Sequence, residues 1–198
     1  MKEKITRCSW ANTDNILLRN YHDNEWGRPC HDNQKLFELL SLEIMQAGLS
    51  WQTVLNKRQA FKGALANFDY QIVQTLTPQL SQLLTNSKII RNQKKLSAII
   101  SNAKVLTLME LRQKTFDQYL WNFVNNIPIQ HHYHSHEEIP RTNQIAKQIS
   151  RQMKKDGFRF TGPIVVYSFM QAAGLINDHE ISCYRYTELL KCMDNGYK

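Results

Sequence analysis

Residues 157–179 read GFRFTGPIVVYSFMQAAGLINDH, and this stretch predicts how the C-terminal part of the chain folds. Gly157 is suited to the left-handed conformation that ends many helices, and it follows a helix predicted from a Thr142 cap to Lys155. Pro163 suits the first turn of a helix, and the apolar run behind it predicts a helix to Gly174. Residues 157–163 therefore predict a hairpin that joins two helices.

The composition of this hairpin suits a phosphate. Glycines permit a tight backbone path or the close approach of a ligand, and free amides at the next helix N-terminus can bind phosphate without reading a base. Lys154, Lys155 and Arg159 would add positive charge. An ordinary interhelical loop explains the same pattern, so both interpretations stay open. The predicted DNA contacts in the hairpin are Gly157, Arg159, Thr161 and Gly162.

Helical patterns also dominate the residues before the hairpin. Residues 34–46 carry apolar side chains on every face, which predicts a core helix, and Gly48 ends it. Ser50 is a suitable cap for a second helix that carries Trp51, and Thr77 with Pro78 marks another helix start. Further helices are predicted at about 91–112 and 115–125. Because alternating strand patterns are scarce, the sequence predicts an all-α fold.

Residues 126–141 interrupt this helical pattern with two prolines and four histidines. Such a segment predicts a long surface connection where one helical lobe meets another, within a single domain over residues 1–198. Its histidines are alternative metal ligands, although their polar neighbours favour a solvated stretch. These histidines are His131, His132, His134 and His136.

Composition and charge narrow the function classes. A chain of 198 residues, 42% of them hydrophobic, can bury a core, and a formal net charge of +8 favours a polyanionic partner. A solubilising surface would explain the charge equally well. We expect a cytoplasmic protein, because no stretch has the apolar length of a signal peptide or a membrane span. Four cysteines, too few for a disulfide scaffold, are expected to be thiols or metal ligands: Cys8, Cys30, Cys183 and Cys192.

Two cysteines and two histidines lie near the two ends of the chain. Cys8 and His22 are near the start, while His179 and Cys183 are four residues apart, a spacing that places them on one face of a helical turn. Two sulfurs and two nitrogens suit a tetrahedral, structural zinc ion, which would join the N-terminal and C-terminal segments. Four unrelated buried residues are the alternative, because this spacing is not that of a zinc-finger knuckle.

Three strings together resemble the type I 3-methyladenine DNA glycosylases: YHDNEWG (21–27), LEIMQAGLSW (42–51) and the 157–179 stretch. The match runs in order from Cys8 to Cys183 and includes KIIRNQKKLSAIISNAK (88–104) and LWNFVN (120–125). The resemblance implies an all-α fold of the helix-hairpin-helix glycosylase superfamily, with structural zinc on the four ligands above. It also implies a monomer that flips 3-methyladenine out of alkylated double-stranded DNA and releases it as the free base, without strand cleavage.

A pocket for such a cationic base needs a carboxylate and electron-rich aromatic faces. The resemblance implies Glu43 as the catalytic, base-recognising carboxylate and Tyr21 and Trp51 as base-binding rings, although a solvent-facing glutamate and core aromatics fit the pattern too. The family usually has a further tyrosine where this chain has Leu18, which we expect to form an apolar pocket wall and to alter base affinity. Gly48 and Leu49 are predicted to fill the gap left by the extruded base.

Alternative interpretations of several residues and of the function stay open. Asp178 is the second-choice catalytic carboxylate, and its favoured role is to orient the neighbouring His179. The basic run Lys88, Arg91, Lys94 and Lys95 could contact phosphates, but we expect a solvated helix face. Two other function classes stay open: a non-catalytic module that binds damaged or bent DNA, and a hydrolase that uses zinc as a Lewis acid. Four protein ligands on the metal argue against the latter.

Overall fold

A computed structural model describes residues 5–194 and the side chains of residues 5–191, so the side chain of Cys192 lies outside the description. Within that range the helices are α1 (Ile16–Asn24), α2 (Asn33–Gln46), α3 (Trp51–Ala64), α4 (Tyr70–Val73), α5 (Leu80–Thr85), α6 (Gln93–Leu111), α7 (Phe116–Trp121), α8 (Gln144–Lys155), α9 (Pro163–Ala172) and α10 (Tyr184–Asp194). Two short strands, β1 (Ile129–Gln130) and β2 (Ile176–Asn177), pair in parallel. The mostly helical fold that the sequence predicted is confirmed. No helix in the described range is long and apolar enough to cross a membrane.

Helix α2 is the centre of the main core. Its residues 36–45 are all buried, and it packs against α3, α6, α7 and α9. The Asp32 side chain caps its first turn by accepting from the Lys35 amide at 2.6 Å. The core helix predicted from the apolar run is therefore confirmed, and it carries the polar side chains of Glu38, Ser41 and Glu43 into the interior.

Helices α8 and α9 form the hairpin that the sequence predicted. Gly157 has a φ of +98°, and Pro163 is the first residue of α9, as expected. The cap of α8 is Asn143 and not Thr142, because the Asn143 side chain accepts from the Ala146 amide at 2.8 Å. The Thr142 hydroxyl donates instead across the hairpin to the Pro163 carbonyl at 3.3 Å.

A second helix start also differs from the prediction. Helix α5 begins at Leu80, so Pro78 is not in its first turn. Pro78 lies in a preceding turn, which is closed by a hydrogen bond from the Leu80 amide to the Thr77 carbonyl at 3.3 Å. Helices α6 and α7 begin within about two residues of their predicted positions.

The connection over residues 126–141 is attached to the C-terminal segment. Ile129 and Gln130 pair with Ile176 and Asn177, and an isolated bridge joins Tyr133 to Glu180. Strands of two residues are too short to show an alternating pattern, which explains why the sequence did not reveal them. His132, His134 and His136 are exposed, as expected of a solvated stretch. His131 departs from that expectation, because its Nδ1 atom lies 2.5 Å from the buried Asp178 carboxylate.

The buried hydrophobic side chains form two clusters. The larger surrounds α2, α6 and α9, and the smaller contains Cys8, Tyr21, Trp26, Leu55, Cys183 and Tyr186. Trp51, at the start of α3, packs against both clusters. The boundary between the two clusters is therefore where α1, α2 and α3 meet.

Candidate active site and metal-binding cluster

A cavity of about 210 Å³ lies at this boundary. Four helices supply most of its lining: Tyr21 from α1, Glu43 and Gln46 from α2, Trp51 from α3, and Ser168 and Gln171 from α9. Trp10, Trp26 and His136 complete the lining from connecting segments. The structure thus brings Tyr21, Glu43 and Trp51 together, although the three lie on different helices.

Aromatic rings form the walls of the cavity. The ring centroids of Tyr21 and Trp51 are 4.9 Å apart with an interplanar angle of 51°. Trp10 lies edge-on to Trp26, with centroids 5.1 Å apart and an interplanar angle of 82°. Electron-rich ring faces attract a flat cation more strongly when water is excluded, so these walls suit a planar, positively charged ligand.

Glu43 is the acidic group of the cavity lining. It is 5% exposed, and its Oε2 atom has no hydrogen-bond partner among the described residues. Burial without a partner raises the pKa of the Glu43 carboxyl to about 8. The Tyr21 hydroxyl and the Trp51 Nε1 atom are buried without described partners as well. Since buried polar atoms in folded proteins are normally hydrogen-bonded, three such atoms around one cavity indicate a site for a polar ligand.

An ion-pair network lies on the same helices. The Arg58 guanidinium donates to both carboxylate oxygens of Glu25 at 2.8 and 2.7 Å and to Glu38 at 2.8 Å. Lys35 donates to the same two carboxylates. Burial opposes the ionisation of Glu38, but the hydrogen bonds and positive charges of Arg58 and Lys35 together outweigh it and lower the pKa of Glu38. The network joins the end of α1 to α2 and α3, and Glu43 takes no part in its hydrogen bonds.

The four predicted metal ligands form a separate buried cluster. The candidate ligand atoms of Cys8, His22, His179 and Cys183 all lie within 4.8 Å of one another. The Cys8 Sγ to His179 Nδ1 distance is 3.3 Å, and Cys183 Sγ lies 3.4 Å from His22 Nε2 and 3.6 Å from His179 Nδ1. A tetrahedral zinc with bonds of about 2.3 Å to sulfur and 2.0 Å to nitrogen separates such atoms by about 3.5 Å. The donor set and its spacing therefore fit zinc.

Both imidazoles of this cluster are held through their other nitrogen. His22 Nδ1 lies 2.8 Å from the Asp23 carboxylate, which Arg7 also contacts, and His179 Nε2 lies 3.1 Å from the Trp26 carbonyl. Such partners orient metal-binding histidines. The hydrogen bond between the two thiols lowers the pKa of Cys183 and raises the pKa of Cys8, so Cys183 is the one that more readily forms a thiolate.

Gly27 allows the contact between Trp26 and His179. Its φ is +76°, and a Cβ atom added there would lie 2.8 Å from His179 Nε2. Only glycine combines this backbone conformation with the required space. The glycine that ends the YHDNEWG string is thus explained by the space that His179 of the Cys/His cluster occupies.

A family model described as methyladenine glycosylase matches residues 10–186, a range that includes every residue of the cavity lining. The chain belongs to the methyladenine glycosylase family. As a member of that family it is an enzyme, a hydrolase that cleaves N-glycosyl bonds. The resemblance drawn from the three sequence strings is confirmed.

Relatives of this glycosylase match it over nearly their whole length. The DNA-3-methyladenine glycosylase of Haemophilus influenzae is 41% identical over 179 residues, which cover 90% of this chain and 96% of the relative. A crystal structure of a 3-methyladenine DNA glycosylase I superimposes with a TM-score of 0.87 at 40% identity, covering 90% and 98% of the two chains. The Staphylococcus aureus 3-methyladenine DNA glycosylase I, whose structure was solved to explain 3-methyladenine recognition, gives 0.83 at 37% identity, covering 87% and 92%.

Leu18 and Asp178 of this glycosylase do not make the contacts that the sequence predicted. Leu18 does not line the cavity; it is half-buried and packs against the smaller hydrophobic cluster, so the expected wall is not found. Asp178 does not contact the His179 ring, whose partner is a backbone carbonyl. The Asp178 carboxylate accepts instead from the Tyr167 hydroxyl at 2.7 Å and from Gln171 Nε2 at 2.8 Å.

The turn between α2 and α3 lies beside the cavity. Gln46, the last residue of α2, lines the cavity, and its carbonyl accepts from the Leu49 amide at 2.6 Å. Gly48 has a φ of +80° with open space around it, and the Leu49 side chain is 42% exposed. Both residues are thus at the surface next to the candidate base pocket.

Two polar side chains, those of Asn102 and Ser150, hold the hairpin by hydrogen bonds to its main chain. Asn102 accepts from the Arg159 amide at 2.7 Å and donates to its carbonyl at 3.0 Å, and the Ser150 hydroxyl donates to the Thr161 carbonyl at 2.6 Å. Gly157 and Arg159 are exposed, and Gly162 is half-buried. The Thr161 side chain is buried, so it does not present a hydroxyl at the surface.

The basic residues before and at the start of α6 differ in their exposure to solvent. Lys88, Arg91 and Lys94 are exposed, as expected of a solvated face. For Lys95 the prediction is wrong, because its side chain is buried and bonded to the main chain of α2. A helical face read from sequence does not show which of two adjacent lysines turns towards a neighbouring helix.

Six residues of the cavity lining were not predicted. Four of them lie inside the three strings that carry the resemblance, so the signal for them was present: Trp26, Gln46, Ser168 and Gln171. His136 lies in the segment interpreted as solvated, and nothing local marks Trp10 as a pocket residue. The six are Trp10, Trp26, Gln46, His136, Ser168 and Gln171.

Proposed function

We propose that this glycosylase extrudes 3-methyladenine from duplex DNA into the cavity and hydrolyses its N-glycosyl bond with water, without cleaving the strand. The observation that carries the proposal is the buried, unpartnered carboxyl of Glu43 beside the Tyr21 and Trp51 rings. The relatives named for 3-methyladenine support the choice of base. A cavity of about 210 Å³ with flat aromatic walls is compatible with one purine.

The charge of the damaged base explains the role of Glu43. Adenine methylated at N3 carries a formal positive charge in DNA, so its glycosidic bond is already weakened and the leaving group needs little protonation. Glu43 has a pKa of about 8 without a partner, and a bound cation would lower that pKa by favouring the carboxylate. The carboxylate would then bind the base and stabilise the positive charge that develops on the sugar. An uncharged purine would offer the Glu43 carboxylate no opposite charge.

We also propose that Cys8, His22, His179 and Cys183 hold a structural zinc ion. The ion would supply a rigid tetrahedral link between the two ends of the chain and no reaction step, because four protein ligands close its coordination. Trp10 follows Cys8 by two residues, and the Trp26 carbonyl contacts His179. The link would therefore keep both tryptophans in the cavity wall.

DNA would be gripped at two places. The α8–α9 turn would act as a helix-hairpin-helix anchor, in which the main-chain amides of residues 160–162 and the exposed Arg159 side chain contact backbone phosphates. Gly48 and Leu49 would enter the gap that the extruded base leaves in the stack. We expect the enzyme to act as a monomer, as a single domain of two packed helical lobes, because one lesion needs one pocket.

The test is chromatographic detection of the base released from methylated duplex DNA. We expect free 3-methyladenine and intact strands with the wild-type protein, and at least about a hundredfold slower release with Glu43→Gln. Glu137→Gln, a change at an exposed glutamate, is the control and should leave the rate unchanged. Binding of methylated DNA without base release would identify a non-catalytic binder, and a fully active Glu43→Gln enzyme would remove Glu43 from the mechanism.

A further inference from the structure

Lys95 is a buried cation whose described hydrogen-bond partners are not carboxylates. It is 5% exposed, and its Nζ atom donates to the main-chain carbonyls of Met45 at 2.9 Å and Ala47 at 2.6 Å. Lysine is almost never fully buried unless it is paired. A strong local reason is therefore needed for an ammonium group at this position.

Its own helix does not supply that reason. Lys95 is the third residue of α6, where the Asn92 cap accepts from its amide at 3.1 Å. The N-terminal end of a helix carries partial positive charge and disfavours a cation. Burial also lowers the pKa of the Lys95 ammonium. Both effects oppose a charged lysine here.

The carbonyls that accept hydrogen bonds from Lys95 supply the reason for its burial. Met45 is in the last turn of α2, and Ala47 is the residue that follows the helix. The last carbonyls of a helix have no partner within the helix and carry partial negative charge. Lys95 thus caps the C-terminal end of a helix 48 residues earlier in the chain.

The capped helix end begins the turn that carries Gly48 and Leu49. Only residues 47–50 separate α2 from α3, and Ala47 leaves the helix with a φ of −46° and a ψ of 113°. Gly48 has no atom within 4 Å of where a Cβ would lie, so packing does not restrain it. The Lys95 ammonium donates to the carbonyl of Ala47, the residue immediately before Gly48.

We propose that Lys95 is a positioning residue that holds the 47–50 turn so that Leu49 can enter the DNA stack as the damaged base leaves it. The inference rests on the proposed role of Leu49. Lys95 acts through the turn and not on the base, because it does not line the cavity. Its effect should therefore be confined to duplex substrates.

The experiment compares Lys95→Met with Lys94→Met. Both changes remove one positive charge from the first turn of α6, but Lys94 is exposed, so the pair separates the buried hydrogen bonds from general attraction to DNA. We expect Lys95→Met to excise 3-methyladenine from duplex DNA about tenfold or more slowly than Lys94→Met, because small misplacements of binding groups have large effects on rate. The Kd of both variants for free 3-methyladenine, measured by tryptophan fluorescence, should match that of the wild type within about twofold.

A third variant, Leu49→Ala, separates the two proposals. If Leu49→Ala excises at the wild-type rate, the role of Leu49 is wrong, and the inference about Lys95 falls with it. If Leu49→Ala is slow while Lys95→Met behaves like Lys94→Met, only the inference about Lys95 is overturned. The double variant Leu49→Ala/Lys95→Met should be no slower than the slower single variant, since residues that act through one element are not additive.

Two further results would decide the case. A Lys95→Met protein whose affinity for the free base falls as much as its excision rate would show a damaged pocket and overturn the inference. Should Lys95→Met unfold at the assay temperature, Lys95→Gln replaces it, because its neutral amide can still donate to one carbonyl. We then expect a smaller loss on duplex DNA with free-base affinity unchanged, and an excision rate equal to that of Lys94→Met would contradict the proposal.

Discussion

The Cys/His cluster of Cys8, His22, His179 and Cys183 and the cavity both hold buried polar groups, yet their hydrogen bonding differs. In the cluster each imidazole has a second partner, and Cys8 Sγ accepts from the Glu180 amide at 3.4 Å. In the cavity a carboxyl oxygen, a phenol and an indole nitrogen have no partner in the described part of the chain. A satisfied polar cluster stabilises the fold, whereas unsatisfied groups cost stability that a ligand can restore.

The same contrast occurs within helix α2. Glu38 and Glu43 are both buried on this helix, five positions apart. Arg58 and Lys35 contact Glu38 and lower its pKa, while Glu43 has no such partner and its pKa rises to about 8. One glutamate therefore serves the fold and the other is available for a cationic ligand.

Loss of a metal ligand is expected to have the largest effect. Cys183→Ser should lower the free energy of unfolding by about 5 kcal/mol or more, because zinc binding contributes directly to folding. Thermal unfolding with and without a chelator, together with the zinc content by mass spectrometry, would measure it. Cys30→Ser, at a half-buried cysteine outside the cluster, should leave both unchanged. A zinc-free wild-type protein that unfolds at the same temperature with and without chelator would contradict the structural role of the metal.

Glu43→Gln is expected to stabilise the protein while it impairs catalysis. The folded pKa of Glu43 is raised from 4.5 to about 8, so between those values the folded state binds more protons than the unfolded state and stability falls as pH rises. At pH 7 the neutral glutamine should add about 3 kcal/mol to the free energy of unfolding. The gain should vanish below about pH 4.5, where Glu43 is neutral in both states.

Urea unfolding at pH 4, 7 and 8.5 would measure this gain, with Glu38→Gln as the matched variant on the same helix. Since Glu38 is paired and its pKa is lowered, Glu38→Gln should destabilise the protein at pH 7. Equal effects of the two substitutions would show that Glu43 has a partner in solution.

The pH dependence of excision should show the smallest effect of the three. If the carboxylate of Glu43 is required, kcat/KM should rise about tenfold per pH unit below pH 8 and level off above it, because the free enzyme is mostly protonated at Glu43 near neutral pH. Single-turnover release of the base at enzyme concentrations well below saturation, between pH 6 and pH 9, would measure the kcat/KM profile. Glu43→Gln should give a flat one. A wild-type rate that falls above pH 8 would mean that Glu43 acts in its neutral form, and a constant rate would mean that its charge state does not control excision.

Features that depend on neighbouring residues were predictable from the sequence. The apolar run of α2, the Ser50 cap, Gly157 and Pro163 each determine local backbone conformation, and the structure confirms them. The proximity of the four predicted metal ligands is also confirmed, although the spacing alone left it open and the family resemblance pointed to it.

Tertiary packing decided which charged side chains are buried and what they contact. Lys95 turns to α2 while Lys94 stays in solvent, Asp178 contacts Tyr167 and not His179, and Trp10 enters the cavity wall. The physical reason is that desolvation and hydrogen-bond partners come from helices that are distant in the chain, and they set the charge state of a side chain as strongly as its own chemistry does. Residue type and spacing specify the helices, but only their packing leaves Glu43 without a partner.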